Sequence, residues 1–302
     1  MPLKSKLHID TLLSNISLKY KNQEYIAMNM FPVLDVRKDS DLYRIYERNF
    51  RIPETAKSDG GLANRHDFDV STASYILEHH ALKDYVTDSQ EDNFDGASLR
   101  ADTTEELTDV ILRKVEDHAA ALFTTSSWSL NVSLASTAHF SLDTVTSNPI
   151  PVVDTGTTTV INNSGFKPNR AILPRAGFIS CKNHQSVLDR VKYTSSAMSK
   201  EILAGLFDLD ELMVPTASKD TAAEGQASAI TPIWGDNMLL YYTPARPSPR
   251  LPSAGYIFAK NTPAVRRWRD EEREATAIEV KRDWVHKVCA SLAGYLIRDT
   301  QQ

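Results

Sequence analysis

The sequence predicts an α+β protein organised around one long amphipathic helix. Three observations carry this. Residues 101–125 keep an apolar face at helical period. Residues 42–86 read as two extended segments with a long polar loop between them, and residues 254–299 hold a series of short β-rich segments.

The helix is the clearest element. Thr103 and Glu106 stand three residues apart at its start, as a capping box requires. Leu107, Val110, Ile111, Val115, Ala119 and Leu122 follow at three- and four-residue steps, and the first three, with Val115 and Leu122, form the predicted core stripe. Asp109, Arg113 and Asp117 fall at successive i,i+4 steps on the other face and can pair with alternating sign. About 22 residues at roughly 1.5 Å each make a rod of about 33 Å, which needs a surface to lie on.

The chain has 302 residues, a soft prior for two domains. Hydrophobic residues at 41% and charged residues at 24% suit a globular chain with a sizeable core. A net charge of −5 argues against a broad phosphate-binding surface. No apolar run reaches the length of a membrane span, and the N-terminus lacks the apolar region of a secretory signal. Cys181 and Cys289, far apart, make neither a disulfide framework nor a thiolate metal site. The Asn-x-Ser matches at Asn15, Asn131 and Asn162 read as chance.

Residues 1–41 read as an arm: a short helical pattern (Leu7, Leu12, Leu13, Ile16), then Tyr25-Ile26-Ala27 and the extended Phe31-Pro32-Val33. Leu42 to Arg48 suits a strand, residues 68–86 suit its return, and Asp59-Gly60-Gly61 marks a turn between them. A ribbon this long with so polar a tip cannot bury itself, so it lies on another surface. Residues 87–100 form an acidic connection. Residues 126–165, rich in Ser and Thr, read as loops and short strands.

Residues 166–216 read as a small α/β segment. It has strands at 170–174, 178–180 and 212–214, a helix at 183–191, and a second helix capped by Ser199. Residues 217–230 read as a flexible loop. Residues 237–242 give the strongest β signal, and the proline-rich 243–253 an extended loop. Strands follow at 255–259, 265–268, 276–280 and 294–297, with a short helical stretch at 284–289.

Catalytic motifs are missing. No Gly-x-Ser-x-Gly elbow, P-loop or dinucleotide fingerprint occurs among the 11 glycines. His79 and His80, adjacent on a strand, point to opposite faces and cannot ligate a metal together. Asp208, Asp210 and Glu211 lack the rest of a calcium loop. The basic cluster Arg266, Arg267 and Arg269 around Trp268 is balanced by Glu271 and Glu272, which favours ion pairing within or between subunits. Lys57, near the ribbon tip, reads as an exposed loop lysine. The expectation is therefore no catalytic, cofactor or metal site.

The order of the pieces resembles the major capsid proteins of tailed double-stranded DNA phages, with the Hong Kong 97 fold. The stretches that carry the resemblance are 25–36 (YIAMNMFPVLDV), the helix 101–124, 199–214 (SKEILAGLFDLDELMV), 233–242 (IWGDNMLLYY) and 265–280 (VRRWRDEEREATAIEV). It spans nearly the whole chain. The resemblance implies an N-arm at 1–41, an extended loop (E-loop) at 42–86, and a peripheral domain with its spine helix over 87–165. It implies a mainly axial domain at 166–253, and C-terminal strands at 254–302 completing both.

It further implies a non-enzymatic shell protein that self-assembles into hexamers and pentamers of an icosahedral head around DNA, built in the host cytoplasm and located in the virion. The DNA is contacted non-specifically at most, and no membrane is involved. Partners would be copies of itself, a portal protein and a possible decoration or cement protein. Some relatives carry a scaffolding segment ahead of the arm. This sequence opens on the arm, which points to a separate scaffolding protein or none. Tyr43, Arg44, Tyr46, Arg48, Arg51, Lys57 and Arg65 would belong to an intersubunit loop, and Arg266, Arg267, Arg269, Glu271 and Glu272 to intersubunit ion pairs. Two rivals remain: an encapsulin-like nanocompartment shell, told apart by its contents, and a cytosolic α/β enzyme, which would need a convergent polar pocket.

Overall fold

The computed structural model describes residues 25–46, 54–57, 59, 61–62, 70–95, 98–134, 139–140, 147–192, 199–223, 225–246, 253–260 and 264–301. The chain opens with a one-turn helix α1 (Ala27–Met30) and strand β1 (Val33–Asp35). Strands β2 (Ser40–Tyr46) and β3 (Val70–Ile76) pair antiparallel as a ribbon, in register from Ser40↔Ile76 to Tyr46↔Val70. Strand β4 (Glu78–Thr87) leads through the short helix α2 (Asp88–Asp92) to the long helix α3 (Leu99–Ala120).

Strand β5 (Leu130–Ser133) is followed by helix α4 (Pro149–Ser164), strand β6 (Arg170–Ile172), and helices α5 (Arg175–Asn183), α6 (Gln185–Val191) and α7 (Lys200–Leu206). Then come β7 (Glu211–Met213), the small hairpin β8 (Ser218–Asp220) and β9 (Ile230–Pro232), and β10 (Met238–Tyr241). The last described strands are β11 (Gly255–Ala259), β12 (Ala264–Asp270), β13 (Ala275–Val288) and β14 (Gly294–Arg298).

Two mixed sheets separate three cores. In the first sheet β13 is the backbone. One edge pairs along its whole upper part with β4, from Ala275↔Thr87 to Trp284↔Glu78. The other edge takes β12 and then β11, and β1 adds in parallel beyond β11. The second sheet runs β5-β14-β10-β6-β7. Its central strands alternate faces, as period-two geometry demands. Leu239, Tyr241 and Leu296 enter the core under α3, whereas Met238, Leu240, Tyr295 and Ile297 enter a second core beneath the helices α4–α7. With both faces covered, β10 is apolar throughout and buried throughout. The first sheet repeats the pattern: Ile257 and Ala259 face the α3 core, while Tyr256 and Phe258 face a third cluster at the ribbon's base.

Helix α3 lies over β4 and β13. Its buried stripe is Thr104, Thr108, Ile111, Val115 and Ala119, with Glu116 beside it. Ile111 and Val115 therefore form the predicted core, and Leu107 and Leu122 flank it, partly buried. Val110 does not: it is 40% exposed. One residue turns a helix by about 100°, so Val110 and Ile111 cannot share the narrow stripe. The N-terminal half of the stripe is made of threonines. Their hydroxyls donate to carbonyls one turn back, Thr104 to Arg100 at 2.8 Å and Thr108 to Thr104 at 2.7 Å, so burying them leaves no hydroxyl unpaired.

The helix start also differs from expectation. Ser98 is the cap, its side chain accepting from the Ala101 N–H, and Thr103 sits inside the helix with its hydroxyl bonded to the Leu99 carbonyl. Arg113 pairs with Asp109 at 2.7 Å, but Asp117 turns to Lys114 at 2.9 Å and to Lys219.

Four further expectations are corrected. Residues 149–164, expected as loop or strand, form a helix that Asn148 caps and Pro149 opens, and Gly165 ends it at φ 69°. Residues 178–180 belong to α5 rather than a strand, because Pro174 starts a helix there. Residues 284–288 continue β13, since β11 supplies a pairing edge that overrides the local helical pattern. Part of the expected loop 217–230 is the hairpin of β8 and β9. The caps at Ser199 and the strands at 255–259 and 294–297 fall where the sequence placed them. The helical pattern within residues 1–24 lies outside the described residues.

Candidate functional site

Three surfaces gather the residues that the sequence singled out, and each is positioned by the sheets. The first is the seat of the arm. Glu116, on the buried face of α3, accepts the Ala27 N–H at 2.6 Å through one oxygen and the Trp234 indole N–H at 2.7 Å through the other. The Tyr25 hydroxyl donates to Asp109 at 3.0 Å, and the Tyr241 hydroxyl donates to the Met30 carbonyl at 3.0 Å. Arg170 donates to the Asn29 carbonyl at 3.1 Å. The described part of the arm is thus stitched to its own subunit by side chains from α3, β6 and β10. Burial pushes the Glu116 carboxyl up to about 7, against the opposing pull of the Ala27 and Trp234 donors.

The second surface is the ribbon of β2 and β3. Its base is held by Tyr75, stacked on Phe258 with centroids 4.4 Å apart, and by Tyr43, 5.2 Å from the same ring. The Cys289 thiol points at the Tyr43 hydroxyl at 3.6 Å, and burial raises the pKa of both groups. On its opposite face the ribbon leaves apolar side chains in water, Leu42 at 69% exposed and Ile76 at 66%, and Leu62 in the connecting loop is 97% exposed. Lys57 is exposed. Arg44 and Tyr46 lie on β2, whereas Arg48, Arg51 and Arg65 lie outside the described residues. The return segment breaks at Leu77: β3 belongs to the ribbon, but β4 belongs to the sheet under α3.

The third surface is the edge at β12. Arg269 grips Asp88 with both terminal nitrogens, at 2.5 and 2.6 Å, and reaches Glu271 at 3.7 Å. Its guanidinium holds the Asp88 carboxyl below the usual range. This partner lies within the chain. Arg266 faces Glu279 across the β12–β13 ladder at 3.9 Å. Arg267, Glu271 and Glu272 stand exposed along the same rim.

His79 and His80 do point to opposite faces. His79 meets Asp283 at 2.9 Å, and His80 turns under α3 to stack on Trp284 at 4.1 Å. There His80 joins Glu78 and His118, a grouping that sequence reasoning missed because His118 comes from a different element. The only sequence signal was Glu78 and His80 at alternate strand positions, hence on one face. Burial lowers the pKa of His118.

No family model matches this chain. Among curated proteins it is 24% identical over 305 residues to a protein named "Major capsid protein" of Burkholderia phage BcepMu, covering 97% of both chains. It is 24% identical over 241 residues to another of that name from Pseudomonas phage JBD67, covering 78% of this chain and 77% of that one. Among solved structures it superposes on a phage-related protein of Bordetella bronchiseptica RB50 with a TM-score of 0.77 at 23% identity, covering 97% and 98% of the two chains. It matches the capsid of a native GTA particle with a TM-score of 0.63 at 11% identity, covering 98% and 94%. A virus-like particle of Pyrococcus furiosus gives 0.59 at 11%, covering 95% and 96%. The fold is the Hong Kong 97 fold, and over nearly its whole length the chain is related to a protein named as a phage major capsid protein.

Proposed function

We propose that this chain is the major capsid protein of a tailed phage, a structural protein whose copies build the hexamers and pentamers of an icosahedral head around double-stranded DNA. The observation that carries this is the end-to-end match to a named major capsid protein, 97% of both chains. A partial match would leave room for a shared module; this one spans the arm, the ribbon, the long helix and both sheets.

The surfaces fit the reading. A ribbon with Leu42, Ile76 and Leu62 in water stabilises a shell if a neighbouring subunit covers those side chains. Covering a large apolar side chain contributes about 1.5–3 kcal/mol. Repeated around a closed shell, such contacts accumulate. The rim charges Arg266, Arg267, Glu271 and Glu272 supply polar contacts at the edge of the same subunit. The role proposed is structural rather than enzymatic, and the location is the virion, with assembly in the host cytoplasm. Portal, scaffolding and decoration proteins are the proposed further partners. The encapsulin-like alternative shares the fold, but the names of the curated relatives favour a phage head.

The test is the size of the purified recombinant protein, read by light scattering and negative-stain imaging. Capsomer rings or closed particles support the proposal. Their contents, DNA or protein cargo, separate a phage head from a nanocompartment. A species that stays monomeric or dimeric after co-expression with its neighbouring genes overturns it.

A further inference from the structure

We propose that Glu78, His80 and His118 form a binding site for a late first-row divalent cation such as Zn²⁺, clamping the sheet to the long helix. This goes beyond the shell reading and does not depend on it. The three residues come from two elements. Glu78 and His80 are alternate residues of β4, so both project towards α3, and His118 lies in the last turn of α3 above them.

The spacing of the three groups fits a single ion. The three candidate ligand atoms all lie within 4.8 Å of one another. His118 Nδ1 is 3.3 Å and His80 Nε2 is 3.4 Å from the same oxygen, Oε2 of Glu78. Metal–nitrogen distances of about 2.0–2.1 Å in a tetrahedral site put neighbouring ligand atoms roughly 3.3 Å apart. Two of the three ligand–ligand edges already have that length. Two imidazoles and one carboxylate suit zinc, nickel or copper better than magnesium or calcium, which take all-oxygen shells.

The surroundings add further observations. His80 Nε2 is shielded from solvent and makes no hydrogen bond, although a buried polar atom ordinarily finds a partner. A bound cation would satisfy it. The His80 ring is also fixed, stacked on Trp284 at 4.1 Å and set edge-on to His118 at 5.1 Å, so its lone pair is held in place rather than free to rotate. The Glu78 side chain is 53% exposed, against 23% for His80 and 26% for His118, so the carboxylate stands at the mouth and the imidazoles behind it. An ion entering from solvent meets the negative charge first. Arg282, opposite His80 in the ladder, places one positive group beside the site.

The alternative is a carboxylate that merely forms ion pairs with two imidazoles. The experiment separates the two. The full chain, purified without a histidine tag and stripped with chelator, is titrated with Co²⁺ while visible absorption is recorded, and Zn²⁺ is then added in competition. The expected result is one Co²⁺ per chain with d–d bands of tetrahedral intensity, displaced by Zn²⁺. His80→Ala and His118→Ala should each weaken binding at least about tenfold, while His79→Ala leaves it unchanged.

X-ray absorption of the zinc-loaded native chain provides a readout that needs no variant, and two imidazole nitrogens in the first shell are expected. Binding that is absent or not saturable overturns the proposal. So does binding that survives loss of both His80 and His118, or a first shell with fewer than two imidazoles.

Discussion

Trp234 and Glu116 stand 118 residues apart in sequence and meet in the core, the indole N–H donating to the carboxylate at 2.7 Å. The second carboxylate oxygen takes the backbone N–H of Ala27 at 2.6 Å. One buried side chain therefore joins the arm, the long helix and the loop before β10. An acid this deep carries its own pH dependence. Burial raises the folded pKa from 4.5 to about 7, so the unfolded chain gives up its proton first as pH rises. The contribution of Glu116 is complete below about pH 4.5 and is lost as pH climbs through about 7. Denaturation midpoints measured at pH 5 and pH 8 should fall with rising pH, and Glu116→Gln should flatten that slope. Glu116→Ala leaves two buried donors without an acceptor and should cost on the order of 2–5 kcal/mol at either pH.

The two neighbours on the long helix, Val110 and Ile111, should respond oppositely to mutation. Ile111 is 3% exposed, and truncating it to Ala opens a cavity, with an expected loss of about 2–5 kcal/mol. Val110→Asp, on the solvent side, should stay within about 0.5 kcal/mol of native. Chemical denaturation of the two variants decides it. A large loss at Val110 would mean that a neighbouring subunit covers that face.

The ribbon should matter to assembly rather than to folding. Leu42→Lys combined with Ile76→Lys changes side chains that touch little of their own subunit. Far-ultraviolet circular dichroism and the thermal midpoint should stay near native, whereas sedimentation should show fewer rings or closed particles.

Gly294 opens β14 directly against Trp128. A Cβ there would lie 2.3 Å from the indole ring. Trp128 is fully buried, with its N–H donating to the Leu122 carbonyl at 3.0 Å, so it has nowhere to move. Gly294→Ala should cost about 1–3 kcal/mol through overpacking. Comparison with Gly205→Ala, where a Cβ meets nothing, provides the reference.

Much of this architecture is legible in the sequence because period and punctuation agree with it. The unbroken apolar run at 238–241 means a strand covered on both faces, and Ser199 announces its helix. Where the sequence misleads, the physics is specific. The stripe of α3 begins with Thr104 and Thr108, polar residues that hide their hydroxyls against their own backbone, so an apolar count shifts the face towards Val110. Helix α4 is rich in Thr and Val, which weigh against helix, although Asn148-Pro149 and Gly165 marked both of its ends. Strand β13 overrides a helical pattern at 284–288 because β11 offers it a partner from far along the chain. The grouping of His118 with His80 was beyond reach, since only the packing of α3 on β4 brings them together.

Strand β14, the last of the described strands, sits second in its sheet, flanked by β5 and β10. A nascent chain still emerging from the ribosome can form the long helix and the ribbon, but it cannot close the wall between its two largest cores until residues 294–298 arrive. Closure of that wall therefore waits until residues 294–298 have been made. A product cut short by premature termination would keep its strands unpaired and its apolar faces open, and proteases would remove it. Truncated chains would thus be kept out of the proposed shell by the order in which the polypeptide is made.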